Sequence, residues 1–95
     1  MMDINDFLDV CKQRTRTQTD SNLARKVGIT RAALGAYSKG ASFPSDANML
    51  KLARRAKLGV AECLLLLNIW RTQGAARDAY VQMLKAHAPE SKFIA

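Results

Sequence analysis

The chain is 95 residues long with 48% hydrophobic and 6% aromatic residues, and its net charge is +7. That length supports one domain with a core of Leu, Ala, Ile, Val and Met, above the size at which a disulfide or metal staple becomes necessary. His87 is the single histidine, Cys11 and Cys63 fall in no C-x-x-C or metal-ligand spacing, and the apolar run from Cys63 to Trp70 is far short of the roughly 20 residues that cross a bilayer, so the composition argues against a metal centre, a disulfide framework and a membrane span.

No stretch alternates apolar and polar residues as a strand would, whereas helical spacing recurs. Asp3 is the expected N-cap of a first helix whose Ile4, Phe7, Leu8 and Cys11 share one face, and "TRTQT" breaks it. Thr19 or Asp20 caps a short second helix with Leu23, Ala24 and Val27 inward and Arg25 and Lys26 outward, ended by Gly28. Ile29 follows, then Thr30 as the cap of a third helix that turns Leu34 and Tyr37 inward and stops at Gly40. "ASFPS" reads as a loop because Pro44 disfavours a helical Phe43, and Ser45 caps a fourth helix burying Met49, Leu52, Ala53 and Ala56. After a break at residues 57–59, a fifth helix is expected over residues 60–71. "TQGA" then turns the chain into a sixth, expected to bury Ala76, Ala79, Tyr80, Met83 and His87 and to end at Pro89. Residues 89–95 read as a flexible tail. The acidic start "MMDINDFLDV" lacks the basic n-region of a secretory signal; with two thiols expected in the core, a cytoplasmic protein is the expectation.

The excess charge has an address. Residues 21–57 hold Arg25, Lys26, Arg31, Lys39, Lys51, Arg54, Arg55 and Lys57 against Asp46 alone, a local balance equal to the whole +7. Clustered positive charge suits a polyanionic partner, through steering and counterion release. The plainer alternative is a solvated basic face, to which Arg54, Arg55 and Lys57 are assigned as the polar face of the fourth helix, with extension of a phosphate-contacting track as the other reading.

Helices two and three, joined by the tight connection at Gly28–Thr30, make a helix-turn-helix unit. Ala24 lets the helices approach, Gly28 supplies a positive φ, Ile29 plugs the angle and Leu34 anchors the third helix from beneath. The segment "GITRAALGAYSKG" gives up bulk and helix propensity, with Gly35 at its centre. A thin helix of this kind suits insertion into a major groove about 12 Å wide.

The stretch "TDSNLARKVGITRAALGAYSKGASFPSDANMLKLA" resembles the Cro/C1-type helix-turn-helix family of phage and bacterial repressors, through Leu23, Ala24, Gly28, Ile29, Thr30, Leu34, Tyr37, Gly40, Pro44, Ser45, Met49, Leu52 and Ala53. The resemblance implies an all-α, lambda-repressor-like bundle of about five helices with an additional C-terminal helix. Within one domain, residues 1–58 would be the DNA-binding core with its helix-turn-helix at 19–40, and residues 59–88 a helical hairpin for packing and dimerisation. It further implies that Thr30 meets phosphate at the helix N-terminus, that Arg31 reads a base, and that Ala32, Ala33 and Ala36 face the groove with methyls. Lys39 and the backbone at Ala41–Ser42 would lie against phosphate, while Thr19, Ser21 and Asn22 lie where the family crosses the DNA backbone. Two positions depart from the pattern: Asp20 stands for a phosphate-contacting glutamine and Gly35 for a serine. Modest direct readout is therefore expected, with shape and phosphate contacts carrying much of the specificity.

"ECLLLLNIW" carries more apolar residues than one helix face can bury. Cys63, Leu64 and Leu67 are assigned to the core, and Leu65, Leu66, Ile69 and Trp70 to a homodimer interface; cover by the sixth helix within the monomer is the alternative. The expected function is a sequence-specific, double-stranded DNA-binding regulator, a phage or prophage repressor or Cro-like switch acting as a dimer. The competing reading is a protein-interaction module, an antirepressor or antitoxin that keeps the fold without operator binding. No nucleophile–base pair, phosphate loop or ligand cluster suggests an enzyme, a cofactor or a small-molecule substrate.

Overall fold

The computed structural model describes residues 1–94, which form six helices and, among the described residues, no strand: α1 (Ile4–Thr15), α2 (Asp20–Val27), α3 (Arg31–Ser38), α4 (Asp46–Arg55), α5 (Val60–Arg71) and α6 (Gly74–His87). The expected all-α class is therefore correct. No helix among these residues is long and apolar enough to cross a membrane.

The first four helices begin where short polar side chains satisfy otherwise orphaned amides. Asp3 accepts from the Asp6 N–H at 2.8 Å, and Thr19, Thr30 and Ser45 accept from Asn22, Ala33 and Asn48, each at 3.1 Å. Between Thr19 and Asp20, the threonine is thus the cap of α2. Helices α5 and α6 start at Gly59 and Gln73 without a side-chain cap.

Several helix ends are closed from outside by cations. The Arg14 guanidinium, on the last turn of α1, donates to the carbonyls of Ala56 and Lys57 at 2.9 Å each. Lys51 and Arg55 of α4 reach back to the end of α2, donating to Gly28 O at 3.2 Å and Lys26 O at 3.0 Å. Positive charge at a helix C-terminus is favourable. Arg55, assigned from sequence to a merely solvated face, is therefore a tie between α4 and α2; Arg54 and Lys57 remain exposed.

Ile4, Phe7, Leu8 and Cys11 from α1, Leu23, Ala24 and Val27 from α2, Leu34 and Tyr37 from α3, and Met49, Leu52, Ala53 and Ala56 in and after α4 are all buried, as their spacing predicts. Burial pushes the Cys11 and Cys63 thiols up to about 12, so both stay protonated and inert. The backbones of α1 and α5 come no closer than 8 Å between Cα atoms, beyond the reach of a disulfide.

The C-terminal third departs from expectation. Helix α6 turns Leu84 fully inward with Tyr80 and Val81 half-buried, while Ala76, Ala79, Met83 and His87 are exposed. The helix is rotated by about one residue, because turning Val81 and Leu84 inward beside Tyr80 buries more apolar area than turning in Ala76, Ala79 and the polar ring of His87. Consequently Leu66 and Ile69 of α5 are 0% and 1% exposed within the single chain and cannot serve as a dimer interface; Leu65 and Trp70 are half-buried. Helices α4 and α6 pack against α5, and the segment after α6 reaches it through the Ser91 hydroxyl, which donates to Glu62 Oε2 at 2.8 Å.

That segment is not the loose tail expected over residues 89–95, whose last residue lies outside the described part. Phe93 is 1% exposed, its ring meets Phe7 edge-on at 5.8 Å, and its carbonyl accepts from the Met2 N–H at 2.8 Å. Trp70 meets Phe7 edge-on at 5.6 Å and donates its indole N–H to Met2 O at 2.9 Å. Phe43, 44% exposed, lies stacked on the outer side of Trp70 at 6.1 Å.

Candidate nucleic-acid interface

The connection from α2 to α3 is made by three residues with distinct tasks. Gly28 adopts φ +81°, a left-handed conformation that glycine tolerates, and its N–H donates to Ala24 O at 2.9 Å. The Ile29 N–H donates to the same carbonyl at 3.0 Å and its side chain is buried in the angle between the helices. Ala24, 2% exposed, leaves room for that close approach.

Helix α3 is held from three sides. Leu34 and Tyr37 point into the core, and the Tyr37 hydroxyl accepts from Asn48 Nδ2 of α4 at 2.9 Å. Asn5 Nδ2 of α1 donates to Ser38 O at 3.2 Å. The Ser38 hydroxyl donates to Asp20 Oδ2 at 2.8 Å, and Lys12 Nζ sits 2.8 Å from Asp20 Oδ1. Asp20 thus ties α1, α2 and α3 together, and its charge is answered by an ammonium group. The hydrogen bond from Lys12 holds the Asp20 carboxyl below the usual carboxylate range, outweighing the partial burial that pushes the other way, with Ser38 adding to the effect.

Asp20→Asn should therefore lower stability by less than about 1 kcal/mol at neutral pH, the range of partly exposed ion pairs. Because the folded-state carboxyl titrates below its unfolded value, this contribution is complete above the ordinary carboxylate range and fades as pH falls through the lowered folded value. Urea midpoints of the wild type and variant, separate at neutral pH, should converge in acid. A constant gap would assign the effect to something other than the charge.

The opposite side of α3 is open. Arg31, Ala32 and Lys39 are exposed, and Gly35 and Ala36 are half-buried. Together with Lys12, Thr19, Asp20, Ser21 and Ala41 they line a broad concavity of about 1030 Å³. Lys12, Arg31 and Lys39 stand around Ala32, Gly35, Ala36 and Ala41, with the Thr19 and Ser21 hydroxyls and the Lys12-paired Asp20 completing the lining. A second, smaller hollow of about 360 Å³ lies between Ser21, Ala24, Arg25, Ile29 and Arg31 and brings two guanidinium groups to the start of α3.

Of the positions assigned from sequence, Thr19, Ser21, Arg31, Ala32, Ala36 and Lys39 meet in the large concavity. Asn22, Thr30 and Ser42 are exposed but do not line it, and the Thr30 hydroxyl is engaged in capping α3. Ala33 does not face the groove: it packs against the core beside Leu34. A residue two positions after Arg31 on a helix turns about 200° away from it, which places Ala33 on the inner side. Lys12 and Arg25 were not expected at the site. Arg25 was legible, since it follows Ser21 by four residues on the same helix face. Lys12 was not, because it arrives from α1 through an ion pair that no local pattern encodes. Comparison with protein-family models, with curated proteins and with solved structures finds no match to this chain.

Proposed function

We propose that the chain is a sequence-specific, double-stranded DNA-binding transcriptional regulator of the Cro/C1 helix-turn-helix type, a repressor or Cro-like switch of the phage or prophage kind. The observation that carries this reading is the outer face of α3: slim, unobstructed, held from behind by Leu34 and Tyr37, and flanked by Lys12, Arg31 and Lys39. Arg31, at the first turn of α3 and free of any intramolecular partner among the described residues, is the base reader, with guanine O6 and N7 as its natural acceptors. Arg25 and Lys39 hold phosphate on either side, while Lys12 stays paired with Asp20. Two copies on half-sites one DNA turn, about 34 Å, apart would place one such helix in each of two successive grooves. Leu66 and Ile69 take no part in that pairing; the exposed Phe43 stacked on Trp70 offers apolar surface for it.

The direct test is selection of duplexes from a random pool, with the mass of the protein and of its complex measured in solution. Recovery of a common sequence with two-fold symmetry, bound by two copies, supports the proposal. Arg31→Ala should then cost about 1–3 kcal/mol of affinity and relax preference at one base pair per half-site. An unchanged affinity for the selected duplex would remove Arg31 from the role of reader.

A further inference from the structure

We infer that Asp20 is a brake on DNA binding, its carboxylate keeping the Lys12 ammonium from phosphate so that every duplex is held more weakly than the cations allow; this rests on the DNA-binding reading above. Among the described residues that line the concavity beside α3, Asp20 alone is acidic, and it stands there with Lys12, Arg31 and Lys39. A carboxylate at a surface that receives a polyanion repels it and takes a cation out of use. The fold has other means for the tasks Asp20 performs. The Thr19 hydroxyl caps α2, and α3 is held independently by the buried Leu34, by the hydrogen bond from Asn48 to Tyr37, and by Asn5 on the Ser38 carbonyl.

The carboxylate is bonded as a phosphate would be. Its Oδ1 lies 2.8 Å from Lys12 Nζ and its Oδ2 accepts from the Ser38 hydroxyl at 2.8 Å. Ammonium and hydroxyl groups are also the donors that free phosphate oxygens take from proteins. The side chains are 22% exposed for Lys12 and 36% for Asp20, so the pair lies at the surface where a duplex arrives and not beneath it. The bond from Lys12 keeps the carboxyl below its ordinary range, so the negative charge persists at neutral pH. Arg31 and Lys39 form no ion pair among the described residues; Lys12 is the cation of the three that is already engaged. Because phosphate contacts carry no sequence information, the loss falls equally on the selected duplex and on any other.

The experiment uses the full chain, a duplex that the wild type selects from a random pool, and an unrelated duplex of the same length. Asp20→Asn frees the ammonium and should add one phosphate contact in each of two copies, steepening the slope of log affinity against log salt by about 1.8. Its advantage over wild type should be about twelvefold larger at roughly 50 than at roughly 200 mM monovalent salt, on both duplexes alike. The double variant Lys12→Met, Asp20→Asn, which removes both charges, should bind as the wild type does. Asp78→Asn makes the same change in net charge at an exposed position of α6 and should leave the slope unchanged. Duplexes carrying one uncharged methylphosphonate at successive positions locate the contact: one phosphate per half-site should become sensitive in Asp20→Asn and not in wild type. Unchanged or weakened binding by Asp20→Asn overturns the inference, as does an equal gain in the double variant. A phosphate to which the wild type is sensitive and Lys12→Met is not also overturns it, whatever becomes of the Asp20 variant, because Lys12 would then reach DNA with Asp20 in place. Failure of the wild type to bind any duplex at low salt sinks the DNA-binding reading itself, and is told apart by appearing before any substitution is made.

Discussion

Affinity of the wild-type chain for its selected duplex is expected to fall by about a hundredfold between roughly 50 and 200 mM monovalent salt. The magnitude follows from the cations around α3. Arg25 and Lys39 in each of two copies would neutralise about four phosphates and release the counterions condensed on them, giving a slope of about −3.6 in a plot of log affinity against log salt. The competing reading, a protein-interaction module that docks through apolar surface, predicts almost no response over the same range. Titration of a labelled duplex at several salt concentrations separates the two. A flat line would leave the basic middle of the chain as a solvated surface.

The largest expected effect on stability comes from the far end. Phe93→Ala should lower the unfolding free energy by about 3–5 kcal/mol, a large fraction of the 5–15 kcal/mol typical of a domain. Phe93 is 1% exposed and meets Phe7 at 5.8 Å, while Phe7 itself supports Trp70 at 5.6 Å. Truncating the ring opens a cavity beside Phe7, which is itself packed edge-on against Trp70 and cannot collapse into it without moving α1 against α5. Urea unfolding followed by Trp70 fluorescence provides the measurement. A midpoint within error of wild type would mean that residues 90–94 lie outside the cooperative unit.

These two results bear on how the sequence maps onto the structure. Helix starts were legible where the chemistry is local: Asp3, Thr19, Thr30 and Ser45 each close an amide three residues ahead, so a short polar residue before an apolar period is sufficient. The inner faces of the first four helices followed from spacing, because each had one register that grouped its large side chains. Helix α6 offered two registers, and the choice between Leu84 and Met83 as the buried residue depends on the shape of α5, which periodicity does not carry. Phe93 was illegible for another reason. A lone aromatic after a proline has no period, and its place is set by Phe7, eighty-six positions earlier. At the candidate site the contrast is the same: Arg31 and Lys39 could be placed by their position on one helix, whereas the Lys12–Asp20–Ser38 linkage joins three helices through side-chain tips.

The cations that close helix ends bear on how the molecule tolerates redesign. Arg14, Lys51 and Arg55 look like surplus charge in the sequence, yet each spends its donors on carbonyls of another segment. Lowering the isoelectric point to curb indiscriminate nucleic-acid adhesion therefore begins at Arg54, whose exposed side chain has no partner among the described residues, and leaves its neighbour Arg55 in place. Two adjacent arginines, identical on paper, are one expendable ornament and one rivet.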